Sequence, residues 1–169
     1  MFQNIQIEGD LPTINDLDYK RIQQSYLMVI LLNFFVVFTL CIGGLSVALF
    51  RSDTPFIMEF KWNFLQIALL FFFFLLMARI IGFSKRKYAI RERDISYKEG
   101  VFWTSITTVP FCRIQHVELN EAPVSRLFKL ATLNIYTAGD SASDLKIKGL
   151  KKEEALRIKE FITSHINGE

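Results

Sequence analysis

The feature that most constrains this chain is a run of 25 residues, Tyr26 to Phe50 (YLMVILLNFFVVFTLCIGGLSVALF), without a single charged side chain. Wound as a helix at about 1.5 Å per residue, it is long enough to cross a hydrocarbon core of roughly 30 Å with some tilt. A second run, Asn63 to Ala78 (NFLQIALLFFFFLLMA), continues past Arg79 to Phe83. An arginine near a helix end can snorkel to the headgroups, and Leu, Ile and Phe at about −0.3 to −0.6 kcal/mol each outweigh Gln66. Two spans are therefore expected, at about 26–50 and 62–83, forming a transmembrane hairpin over 26–83. The linker Arg51 to Lys61 carries Pro55 and charges of both signs, and Trp62 suits an interfacial anchor. A cleaved signal sequence does not fit, because the first run follows a polar stretch with Glu8, Asp10, Asp16 and Asp18 and no basic start.

This placement explains the composition. The chain has 17 Phe in 169 residues, too many for one small soluble core, but nine lie in the two apolar runs 26–50 and 63–78. Only Phe102, Phe111, Phe128 and Phe161 remain for the rest of the fold after residue 83. Cys41 and Cys112 have no metal-ligand spacing and read as small apolar fillers, with no disulfide, metal or cofactor implied. Gly43 and Gly44 fall inside the first span, where glycine commonly serves close helix packing.

Orientation follows from basic residues near the membrane. Arg79, Lys85, Arg86, Lys87, Arg91 and Arg93 follow the second span, against Arg51 and Lys61 in the linker. The positive-inside rule then puts 84–169 in the cytoplasm, and two crossings return the flank 1–25 to the same side, so both termini are expected there.

Residues 84–169 contain 15 Lys/Arg and 11 Asp/Glu, a net charge of +4, and the pattern changes to short alternating runs. Strands are expected at 87–91, 95–98, 102–109, 113–119, 132–137 and 145–147, all rich in β-branched and aromatic residues and separated by turn signals. Pro123 to Leu130 predicts a short helix or 3₁₀ turn, with Val124, Leu127 and Phe128 at helical spacing. A final helix over about 151–166 carries the stripe Ala155, Ile158, Ile162 and Ile166. These elements make an antiparallel α+β roll of six or seven strands closed by one amphipathic helix.

The stretch VPFCRIQHVELNEAPVSRLFKLATLNIYTAG, Val109 to Gly139, resembles the signature of bacterial pleckstrin-homology-like (PH-like) domains of the YdbS-like membrane family. The resemblance rests on Pro110, Arg113, Ile114, Gln115, Val117, Pro123, Arg126, Leu127, Ala131, Leu133, Thr137, Ala138 and Gly139. Ile147-Lys148-Gly149-Leu150 and Glu153-Glu154-Ala155 resemble its last strand and helix. Lys129 departs from the pattern, since glycine is frequent there; either a helical or a left-handed backbone would accommodate it. The resemblance implies a membrane-anchored α+β protein of a bacterial cytoplasmic (inner) membrane, in which a PH-like β roll or barrel capped by a C-terminal helix follows a two-helix hairpin. It also implies a non-catalytic binding and scaffolding module whose partner is a second membrane protein with PH-like domains, in envelope or antimicrobial defence.

Two candidate surfaces follow. Lys85, Arg86, Lys87, Arg91 and Arg93 could meet anionic headgroups, which makes a lipid-headgroup sensor the alternative function; the same residues also satisfy positive-inside topology. A phosphoinositide pocket on the hairpin 91–100 is opposed by Glu92, Asp94 and Glu99. Pro110, Arg113, Gln115, Pro123, Arg126 and Gly139 form the motif and partner-surface candidate. Alternation puts Arg113 and Gln115 on one strand face and Ile114 and His116 on the other; Arg113, Gln115 and Arg126 either recognise a partner or tie the sheet to the short helix. No nucleophile elbow, zinc motif or phosphate loop is present, so no enzyme is expected. Mixed charge argues against nucleic acid. The expected partners are membrane lipids, a PH-like membrane protein, or a second copy of this chain.

Overall fold

The computed structural model describes residues 18–138 and 145–167. Two long helices come first, α1 (Ser25–Arg51) and α2 (Pro55–Lys85), each apolar enough to span a membrane. The connection between them is only 52–54. The charges of 51–61 suggest a linker, yet Pro55 occupies the first turn of α2, where its fixed φ suits a helix start and its missing N–H costs nothing. The helices meet through rings: Phe72 lies 6.0 Å from Phe34 and 5.2 Å from Phe38, both edge-on. Gly43 and Gly44 do not serve this contact, since a Cβ on either would meet nothing within 4 Å. Bulky Phe pairs set the helix spacing instead. Neither cysteine is a buried filler: Cys41 is exposed on α1, and Cys112 is exposed in a 3₁₀ turn beside buried Phe111.

Among the described residues, seven strands form two antiparallel sheets. β1 (Lys20–Arg21), β2 (Lys87–Ile90), β3 (Asp94–Glu99) and β4 (Ser105–Pro110) make the first in that order. β5 (Ile114–Asn120), β6 (Leu130–Thr137) and β7 (Leu145–Lys151) make the second. A short helix α3 (Pro123–Leu127) joins β5 to β6, and α4 (Lys152–Asn167) packs across the second sheet, with Ala155, Ile158 and Ile162 buried. The core between the sheets includes Ile95, Leu133, Ile135, Ile147 and Leu150.

Three details differ from the alternation pattern. β4 begins at Ser105, because Gly100 turns the chain at φ 126° and leaves Phe102 and Trp103 outside the strand, 84% and 87% exposed. A register shift between Ile114 and His116 breaks the alternation of β5, so Gln115 and His116 are both exposed while Ile114 is buried. Leu127, on the expected apolar face of α3, is 81% exposed.

The flank before the hairpin takes part in the domain. Lys20 and Arg21 pair with Tyr88 and Lys87, and Ile22 is buried in the common core. The membrane hairpin is thus inserted between two neighbouring strands of one sheet.

Candidate functional site

The joint between hairpin and domain is organised around Gly149. Between Ala131 and Thr132 the β6–β7 register slips, and Gly149 takes φ 79°, the left-handed region open to glycine. Its carbonyl accepts the Gln23 N–H at 3.0 Å. A Cβ there would stand 2.5 Å from Cγ of Tyr26, so the missing side chain seats the first turn of α1. The second contact is at Gly82 of α2, where a Cβ would lie 2.9 Å from Cγ2 of Val101 in the β3–β4 turn.

Beside this joint a cavity of about 520 Å³ opens between the start of α1, α3 and the β7–α4 corner. Arg126, Lys129, Lys151 and Lys152 line it with Glu121 and Glu153. Glu121 is the hub: Nζ of Lys152 is 2.7 Å from its carboxylate and Nε of Arg126 3.9 Å. As a turn residue before Pro123, Glu121 gave no sequence signal of this role. Lys129 adopts φ 53°, settling the two backbone options in favour of the left-handed one, and its carbonyl accepts the Lys152 N–H at 3.0 Å.

The motif residues are spread along this frame. Pro110 closes β4, Arg113 ends the 3₁₀ turn, and Gln115 lies at the β5 bulge. Pro123 opens α3, and Arg126 lies in it, beyond the opposite end of β5 from Arg113 and Gln115. The seven-residue strand separates these groups by about 20 Å, so Arg126 joins the Glu121 cavity and not the other two. Gly139 lies outside the described residues.

The basic stretch is divided as well. Lys85, Arg86 and Lys87 stand at the end of α2, whereas Arg91 and Arg93 follow at the far end of β2. Arg86 faces Glu99 at 3.8 Å, and Arg91 Nε donates to Asp94 at 2.7 Å. His116 stacks on Tyr136 with centroids 4.2 Å apart and lies 3.7 Å from Glu118, whose carboxylate also accepts the Tyr136 hydroxyl. His165 Nδ1 lies 2.8 Å from the Phe161 carbonyl, a local contact within α4. Burial pushes the phenol of Tyr88 well above its ordinary value, and its hydrogen bond to Glu154 adds to that. Tyr97 is raised in the same direction, by burial first and then by the charge of Glu99. Among the described residues no group of three or more His, Cys, Asp or Glu could hold a metal.

Among the described residues, two apolar helices precede six of the seven strands and the closing helix. Residues 28–166 match the model of the family described as Bacterial PH domain. The chain belongs to that family. It is 34% identical over 77 residues to the UPF0699 transmembrane protein YdbS of Bacillus subtilis strain 168, a match covering 46% of each chain. It is 33% identical over 92 residues to the UPF0699 transmembrane protein YdbT of the same organism, covering 54% of this chain and 19% of that one. The matched part is thus less than half the length of either relative. No solved structure matches. This bacterial PH domain protein is a YdbS-like membrane protein, and its hairpin and domain are one family unit.

Proposed function

We propose that this chain is a non-catalytic protein-binding and scaffolding module, held in the bacterial cytoplasmic membrane by its hairpin. Its domain recruits a second membrane protein that carries PH-like domains. The observation that carries this reading is the outer edge of the first sheet. β4 is the last strand in the order, so among the described residues one side of Ser105–Pro110 pairs with no strand, and Ile106 is exposed. Such an edge can accept an extended segment through backbone hydrogen bonds, with alternate side chains supplying selectivity. Tethering raises the effective concentration of the domain at the bilayer, so a weak edge contact suffices. Both termini lie in the cytoplasm on this reading. Pairing of Lys20–Arg21 with β2 supports a same-side arrangement, and the basic residues after α2 support the cytoplasmic side. A role in envelope or antimicrobial defence belongs to the same proposal.

The test is photo-crosslinking of the full chain in native membranes, with the photoreactive residue at Thr107 of β4. A membrane protein with PH-like domains is the expected product. Recovery of lipid and self-contacts alone would overturn the recruitment reading.

A further inference from the structure

The hairpin and domain enclose a second crevice, of about 570 Å³, between the domain-side halves of α1 and α2 and beneath the β3–β4 turn. Its lining is graded along the hairpin helices. Arg79, Arg86 and Lys148 stand at the domain end, and no carboxylate lines the crevice. Phe34, Val37, Phe72 and Leu75 line the deeper end. From Tyr26 to Val37 the α1 wall runs about 16 Å, and from Arg86 to Phe72 the α2 wall runs about 21 Å. Those lengths match one leaflet, roughly 20 Å from headgroup to midplane.

Arg79 is the residue that needs explaining. It lies six residues before the end of α2, about 9 Å inside it, where an unpaired charge is costly. The turn above indicates the level of the headgroups: Val101 packs on Gly82, while Phe102 and Trp103 beside it are almost fully exposed. Aromatic side chains left bare next to a membrane hairpin suit the interface. At that level the three cations meet a negative group, and the apolar lane below them meets hydrocarbon.

We propose that the crevice seats one anionic phospholipid, with its phosphate among Arg79, Arg86 and Lys148 and one acyl chain along Phe34, Val37, Phe72 and Leu75. Arg86 is shared with Glu99 at 3.8 Å and lies over the Tyr26 ring, so Arg79 and Lys148 carry most of the selectivity. The site is independent of the partner reading, and its failure would leave the β4 edge proposal standing.

The experiment is native mass spectrometry of the full chain in detergent with added phosphatidylglycerol, phosphatidylcholine or inorganic phosphate. Phosphatidylglycerol should be retained at least about tenfold better than phosphatidylcholine, and the Arg79→Gln/Lys148→Gln variant should lose that preference. Lys85→Gln/Lys87→Gln, which removes the same charge outside the crevice, should keep it. Leu75→Trp fills the acyl lane without touching charge and should reduce retention comparably, which gives a second route should the double variant fold poorly. Wild-type retention in Leu75→Trp, equal loss from Lys85→Gln/Lys87→Gln, or displacement of the lipid by equimolar inorganic phosphate would each overturn the proposal.

Discussion

The hairpin is far richer in apolar residues than the domain, 42 of the 58 residues at 26–83 against 35 of the 86 at 84–169, and the two place them on opposite sides. In the domain, Ile95, Leu133, Ile135 and Ile147 are wholly removed from solvent, and of the polar residues described there only a few, such as Ser96 and Asn134, are buried. In the hairpin, Phe35, Leu40, Ile67, Leu70, Phe71 and Phe74 all point outward, and α1 buries only Val29 and Leu49. Water drives the domain to close, but lipid is as apolar as Leu, so the hairpin gains nothing by hiding its surface and relies on ring contacts. The two halves therefore respond differently to the same substitution. An apolar-to-polar change breaks packing in the domain and alters membrane affinity in the hairpin.

The largest expected effect comes from a residue that precedes the hairpin but belongs to the domain. Ile22 is 4% exposed in the common core, so Ile22→Asp buries an unpaired charge there. A loss of about 4 kcal/mol or more is expected, enough to unfold a marginal domain. Limited proteolysis of the full chain in detergent should then release the hairpin from a degraded domain, whereas Leu70→Asn on the lipid face should leave the domain resistant. An intact domain in Ile22→Asp would mean that the flank is dispensable and the boundary falls after the hairpin.

Next in size is the joint itself. Gly149→Ala incurs a left-handed backbone penalty of about 1–2 kcal/mol and a clash with Tyr26 that adds about 1–3 kcal/mol. A Tyr26→Ala background removes the ring contacts and leaves the backbone part with a residual approach of 2.9 Å to the Cβ of residue 26, so a double-mutant cycle read by thermal melting should give a coupling of about 1–2 kcal/mol. Additive effects would show that the first turn of α1 does not rest on the β7 bulge. The coupling links the orientation of the domain to the first turn of α1.

How legible these features are in the sequence depends on the length scale of their cause. The spans are written in uninterrupted runs, and α4 in the stripe Ala155, Ile158, Ile162, because burial or lipid exposure repeats over many residues. β1 is only Lys20–Arg21, too short for alternation, and its place is decided by its neighbour Tyr88 far along the chain. Phe102 and Trp103 have strand propensity, but Gly100 turns them out of the sheet. For the candidate sites, the motif residues were visible as a string, yet the grouping of Arg126 with Glu121 and Lys152, and of Arg79 with Lys148, arises only when separate elements meet.

A smaller effect separates domain from hairpin by pH. Tyr88 and Tyr97 are held neutral, with folded values above the ordinary phenol value of about 10. Unfolding frees them to ionise, so their contribution is complete below about pH 10 and declines as pH rises beyond it. Melts of the domain between pH 8 and 12 should therefore fall on the alkaline side, and Tyr88→Phe should flatten part of that fall. An unchanged slope in Tyr88→Phe would remove Tyr88 from the account.

The smallest effect is a gain. Lys129 holds φ 53° after α3, where its carbonyl accepts the Lys152 N–H and so links the α3 turn to the start of α4. A side chain there costs roughly 1 kcal/mol that glycine avoids, part of which returns as unfolded-state entropy. Lys129→Gly should therefore stabilise the domain by up to about 0.5–1 kcal/mol, a rise of a few degrees in melting temperature. It also removes one cation from the Glu121 cavity while leaving Arg126 and Lys152 on Glu121. If the melt rises and crosslinking from Thr107 is unchanged, the turn is a matter of backbone strain alone. A fall in stability would mean instead that the Lys129 charge contributes more than its backbone costs, which would move the cavity from the frame of the domain into its working surface.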